Sequence, residues 1–595
     1  MTQPRYAHLE GNNPWVKARE AAAAAAALGV GVGVEGPTTG ELPRLEPATR
    51  RSRSGAVLVA AGILLSRLAG LVREIAVGAY LGTSIAADAF KAALRIPNLL
   101  QNLLGEGVLS ASFIPVYARL LDEDEKEAGR VAGAVAGLLT AVAGAAAVLG
   151  VLFARPITVA LTPGFEGRRL DLTVDLVRIM TPGIAFLVLS AWCLGVLNSH
   201  RRFFLSYVAP VLWNAAQIAA VVAVGVGGAS RTSLATALAW GVLAGGVLQV
   251  FVQLPTVRRV GRGIRPSLDR ARAGVREVRR RFVPVVLGRG VVQLGSYVDL
   301  VLASLLAVGA VSALIYAQVL YLLPISLFGM SVAAAELPEL SRLGPGGADR
   351  VRDRLETGLG RIAFFVAPVQ ALYLAAGGVI VAVLLQRGEF SADDSRLVWF
   401  VLAGYGLALV ATTASRLMQN GLYALGDSRT PAVIAAGRVV LAAMLGVLLM
   451  FQFDRVLIEP GTAELTVEGD LPAPIEPVSP AVRNDESAPL RLGAVGLTLA
   501  SSVGAWLEFA LLRRAVRRRV GHVPIGGRHR TAVFGAAAVA GGVALALRWT
   551  AASSLAPLPA AVVVLVPAGI VYVAVAVALG VPEPRSLLAR VGSRS

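Results

Sequence analysis

SRLAGLVREIAVGAYLGTSIAADAFKAALRIPNLLQNLLGEG, residues 66–107, decides how the chain is read. Two runs apolar enough to enter a bilayer also carry Arg67, Arg73, Glu74, Asp88, Lys91, Arg95 and Glu106. An ionisable side chain inside a membrane is costly, so it normally faces a cavity, a partner or a substrate. The fold and the function therefore meet in this stretch.

Outward from it, the composition agrees. The chain has 595 residues, 55% hydrophobic and 16% charged, with a mean hydropathy of +0.67. A soluble protein of this composition could not cover its surface with polar groups. Repeated apolar runs of about 20 residues mark transmembrane helices. The net charge of +18 is not a nucleic-acid signature. The basic residues cluster in short loops between apolar runs, which is the positive-inside pattern. One cysteine, Cys193, excludes an internal disulfide and a thiolate metal cluster. His8, His200, His522 and His529 all fall outside the apolar runs, which argues against a histidine proton relay. No cofactor and no metal are expected.

The apolar runs define 14 candidate spans, near 56–81, 86–118, 131–154, 172–198, 205–227, 232–254, 282–307, 311–341, 357–386, 394–424, 430–453, 490–512, 531–548 and 556–580. The two most basic loops, Arg258–Arg281 and Arg513–Arg530, fall on the same side of the membrane. Positive charge therefore places both termini in the cytoplasm. Landmarks recur at a nearly constant spacing. Pro115 with Arg119-Leu120 matches Pro338 with Arg342-Leu343, Phe165 matches Phe390, and Arg202 matches Arg429. The expected fold is an all-α membrane protein with two pseudo-symmetric six-helix lobes of parallel topology. Its parts are a disordered tail, 1–55; an N-lobe, 56–254; a basic cytoplasmic linker, 255–281; a C-lobe, 282–512; and a basic loop with two further helices, 513–595. The acidic, Pro-rich stretch 454–489 reads as a solvated linker on the outer side.

If the second span were one ideal helix, Asp88, Arg95 and Glu106 would share a stripe. Pro97 and the Gly105/Gly107 pair work against one unbroken helix. One reading makes the charges the lining of a central cavity. The other makes them internal ion pairs, such as Arg73 with Asp88, that hold two helices together. The cavity reading carries four basic residues against three acidic. Arginine forks suit phosphate oxygens, so an anionic, membrane-embedded substrate such as a phosphate- or diphosphate-headed lipid follows.

SRLAGLVREI, ADAFKAALRIPNLL and GEGVLSASFIPVYARLL, with PGFEG, LNSHRRFFLSYVAPVLWN and LYALGDSRTP further on, resemble the MurJ (MviN) family of bacterial lipid II flippases. The resemblance runs from about Ala56 to the end. It implies the fold of the multidrug/oligosaccharidyl-lipid/polysaccharide exporter superfamily, in the cytoplasmic (inner) membrane. It implies transport of undecaprenyl-diphosphate-linked peptidoglycan precursor to the outer leaflet for cell-wall synthesis. The chain would then be a transporter, not an enzyme. Its partners would be lipid II and the bilayer, with no nucleic acid, and cell-wall synthesis or division proteins as candidates. By resemblance, Arg67, Arg73, Glu74, Asp88 and Glu106 match positions important for activity, and Arg95 joins them in the cavity.

Two positions depart from the family pattern. Gln101 stands where an arginine often follows PNLL, and Gln318-Val319 stands where some relatives have Asp-Arg. Arg289, in an apolar context in the seventh span, either replaces the missing charge or pairs structurally with Asp299. Asp299 is also a weak candidate for a coupling-cation site. Other readings are an exporter of a different lipid-linked glycan or of a drug, and a non-transporting cell-wall scaffold.

Overall fold

The computed structural model describes residues 50–329, 348–462, 464–523, 527–552 and 554–584. The expected tail therefore lies mostly outside the described residues. Its last residues are already helical, because the first helix starts at Arg50. Among the described residues, ten helices are long and apolar enough to cross a membrane. Two bent pairs, Gly167–Met180 with Gly183–Ser199 and Ala392–Gly406 with Leu409–Ala424, each bend by 42° and complete one more. Two further helices, Arg50–Leu81 and Ala273–Ser304, are 32 residues long. At about 1.5 Å per residue each could span the hydrocarbon, though each carries ionisable residues along its length. These segments follow the expected spans in order. The part of the eighth span beyond Gly329 lies outside the described residues.

The chain divides into two compact units. Unit 1 comprises residues up to Val77, then Ala92–Leu161 and Leu170–Tyr297. Unit 2 comprises Gly78–Lys91, Thr162–Arg169 and everything from Val298. The division falls within the Ala273–Ser304 helix, and two short segments from the first third of the chain belong to unit 2.

In unit 1, the Phe203–Gly225, Arg231–Val260 and Gly183–Ser199 helices pack closely. Small residues permit this: a methyl group at Gly245 would lie 2.8 Å from the Trp213 Cα. The core beside them gathers Phe113, Tyr117, Val131, Trp192, Val196 and Val257. The basic linker is not a free loop. Residues 262–267 run extended along the Glu125–Leu152 helix. There Gly129, Gly133 and Gly137, one face at four-residue spacing, meet the carbonyl groups of Arg262, Arg265 and Ser267. The Ser267 N–H donates to the Gly133 carbonyl at 3.2 Å. Any side chain on that face would occupy the linker's place. Arg272 pairs with Glu127 at 2.8 Å and Arg119 with Glu277 at 2.7 Å, closing the linker's ends.

In unit 2, Arg429–Phe453 lies against Gly493–Val520, and the C-terminal helices Gly527–Trp549 and Pro557–Ala578 pack on Ala348–Leu385. Their shared core is built from Ala376, Ala544, Ala560, Val564 and Ala568. The stretch 454–489, expected to be a solvated linker, is instead folded in its described residues, together with the two residues that follow. β1 (Val456–Ile458), β2 (Leu465–Val467) and β3 (Leu490–Arg491) form an antiparallel sheet in the order β2-β1-β3. Ile458, Ala473, Val478, Arg483 and Arg491 are buried within the segment. Arg491 explains the order: it pairs with Glu468 at 2.5 Å and donates to the Asp454 carbonyl at 2.9 Å.

Candidate functional site

The charged stretch divides between the two units. Arg73 belongs to unit 1, on the Arg50–Leu81 helix. Its guanidinium donates to Glu74 at 2.6 Å and lies over the Trp213 ring, 5.0 Å from the centroid. Glu74 is buried and Arg73 is 13% exposed at its side chain. Gly70, one turn back, leaves the Asn214 side-chain oxygen 4.0 Å from where a methyl group would stand. A partly desolvated cation is therefore fixed between a carboxylate and an aromatic face, and some of its surface remains open. Arg67 is exposed on the same helix. Arg95 is half-buried, and its carbonyl accepts the Tyr297 hydroxyl at 2.8 Å.

Asp88 is placed differently. It lies in unit 2 with no side-chain exposure and pairs at 2.5 Å with Arg169, which is equally buried. It also accepts the backbone N–H groups of Gly309 at 2.9 Å and Ser312 at 2.7 Å, at the start of the Ala310–Pro324 helix. The positive end of that helix favours a carboxylate there. Gly309, at φ +90°, supplies the turn that aims its N–H. Arg169 also donates to the Leu306 carbonyl at 3.2 Å and stacks on Phe165 at 3.9 Å. The ion-pair reading thus holds for Asp88, but with Arg169 in place of Arg73. Nearby, Thr83 hydrogen-bonds Asp394, and Lys91 lies over the Tyr316 ring at 4.3 Å.

The expected stripe of Asp88, Arg95 and Glu106 is not one helix face. The Ile85–Leu104 helix ends at Gly105, and Glu106 opens a new helix, Glu106–Ser112. A Cβ at position 105 would collide with the Gln101 carbonyl, so the break requires glycine. The side chains of Glu106 and Arg289 lie outside those described. Asp299 is half-buried in unit 2. Among the described residues, no group of three or more His, Cys, Asp or Glu side chains could hold a metal ion.

Sequence reasoning passed over Arg169, because it counted toward a loop. It also passed over a polar group in unit 2, where Glu508 accepts Gln419 and Arg438, each at 2.9 Å. The signal was present: Arg416, Arg438 and Glu508 each interrupt an apolar run.

Comparison with known proteins agrees with this architecture. The family model described as "Lipid II flippase MurJ" matches residues 77–463. The lipid II flippase MurJ of Burkholderia cenocepacia is 33% identical over 511 residues, covering 83% of this chain and 90% of that protein. The probable lipid II flippase MurJ of Rhizobium tropici is 33% identical over 413 residues, covering 68% and 76%. Among solved structures, a lipid II flippase MurJ in an inward closed conformation covers 89% of this chain and all of its own, at a TM-score of 0.66 and 20% identity. An inward-facing multidrug resistance transporter of the MATE family, itself of the MOP superfamily, gives a TM-score of 0.56 at 14% identity, covering 78% and 98%. These last two likenesses concern the fold alone. With a family model over residues 77–463 and a relative one-third identical across 83% of the chain, the chain belongs to the MurJ family of lipid II flippases.

Proposed function

We propose that this chain carries lipid II, the undecaprenyl-diphosphate-linked peptidoglycan precursor, from the inner to the outer leaflet of the cytoplasmic membrane by alternating access. Family membership supports the substrate. The observation that carries the chemistry is Arg73, a membrane-helix guanidinium held between Glu74 and Trp213. Arg67, Arg73 and Arg95 neutralise the diphosphate, with Glu106 and Arg289 in the same cavity. Glu74 holds Arg73 in place, while the polyprenyl tail stays in lipid. Two six-helix lobes do the rocking, the last two helices are an appendage, and both termini are cytoplasmic. Moving one net negative charge outward across an inside-negative membrane is favourable by about 2.3 kcal/mol per 100 mV. The potential can therefore bias the direction. Cell-wall synthesis or division proteins are the partners to seek.

The test is growth of a strain depleted of its own lipid II flippase. The wild-type chain should restore growth, while Arg67→Ala and Arg73→Ala should not. Rescue by Arg73→Ala at normal abundance would count for a scaffold and against transport.

A further inference from the structure

Unit 2 carries a further polar surface around Arg416. The Leu409–Ala424 helix is buried on nearly every side, and Arg416 is its one exposed residue. A lipid-facing helix looks different: Arg429–Phe453 exposes Val433, Val440 and Met444 through its middle. A guanidinium aimed at acyl chains is too costly, so Arg416 opens onto water inside the protein. Thr412, Arg416, Gln419 and Tyr423 follow at spacings of four, three and four, which is one helix face. Gln419 reaches Glu508, whose other oxygen takes Arg438, and the Tyr321 hydroxyl donates to Thr412 at 2.8 Å.

The charge balance is uneven. Both oxygens of Glu508 are engaged, and its charge offsets Arg438. Arg416 has no ion-pair partner among the described residues. A single uncompensated cation, on a polar face and at membrane depth, is a site for an anion. We propose that Arg416 is a substrate-binding residue of unit 2 that takes a phosphate of the diphosphate head. Arg438, Glu508 and Gln419 are the positioning residues of the wall beside it. This rests on the lipid II reading above.

The experiment uses the full-length chain in nanodiscs, with lipid II binding and melting temperature measured together. Arg416→Gln should melt as wild type and bind lipid II about tenfold or more weakly. Wild-type affinity in that folded variant overturns the proposal and leaves the flippase reading standing. No lipid II binding by the wild-type chain overturns that reading itself, and the proposal with it. Should Arg416→Gln melt early, Arg416→Lys decides. The ammonium keeps the charge but not the paired donors, so a severalfold loss is expected, and unchanged affinity overturns the proposal.

Discussion

Replacing Asp88 by alanine tests the ion-pair reading most directly. In the native chain its carboxylate and the Arg169 guanidinium are 2.5 Å apart, both with 0% side-chain exposure. Removing one member of a buried pair strands the other charge, at a cost of about 3–5 kcal/mol. The N–H groups of Gly309 and Ser312 also lose their acceptor. Each orphaned donor adds about 1–3 kcal/mol, although the terms do not simply add. A loss of several kcal/mol is a large share of the stability of most folds. The decisive comparison is a double-mutant cycle of Asp88→Ala, Arg169→Met and both together, read as unfolding of the detergent-solubilised chain. Arg169→Met removes the stranded charge and keeps an apolar stem against Phe165, so the double variant should be more stable than Asp88→Ala alone. Simple additivity, or a single-variant loss below about 1 kcal/mol, would refute the reasoning.

Three other substitutions probe separate features. Gly133→Val should push the linker off its helix and expose the arginines at 262–272 to trypsin, whereas Gly144→Val, with open space beside it, should not. Trp213→Leu removes the ring under Arg73 and should weaken lipid II binding by about 0.5–2 kcal/mol, seen as a raised dissociation constant at unchanged folding. Asp454 is 1% exposed, and burial pushes its carboxyl up to about 6, opposed by Arg491 and Arg455. The unfolded chain ionises this group first, near 4. Stability should therefore fall as pH rises from about 4 to about 6, and stay level above that, for a loss on the order of 2–3 kcal/mol. Melting curves across that window should show a flatter profile for Asp454→Asn.

The spans were legible because bilayer thickness imposes runs of about 20 apolar residues that nothing else requires. The bend at Thr181-Pro182 was announced by its proline. The one between Gly406 and Leu409 carried no such mark within a smooth apolar run. Pairings across long distances were hidden for a different reason. Asp88 and Arg169 stand 81 residues apart, and in the sequence Arg169 reads as one of three arginines in an outer loop. Sequence periodicity sees only neighbours on one element, so it put Asp88 on a stripe with Arg95 and Glu106. Pro97 and the Gly105/Gly107 pair already argue in the sequence against that stripe, and the break falls at Gly105. The 454–491 segment misled through composition. Its strands are two or three residues long and its proline content is that of a linker. Buried arginines bound to carboxylate and carbonyl oxygens hold it, and their partners cannot be seen from one sequence.

The glycine face under residues 262–267 has a consequence for tolerated change. Most connecting loops accept insertions and deletions freely. Here each carbonyl is seated over its own glycine, so adding or removing one residue would slide every later group out of place. A library of single-residue indels should therefore be depleted between Arg262 and Ser267. The exposed tip at Gly228, between the Phe203–Gly225 and Arg231–Val260 helices and with open space beside it, should accept them. A fluorescent reporter or affinity tag belongs at that tip, not in the arginine-rich segment that resembles an ordinary tether.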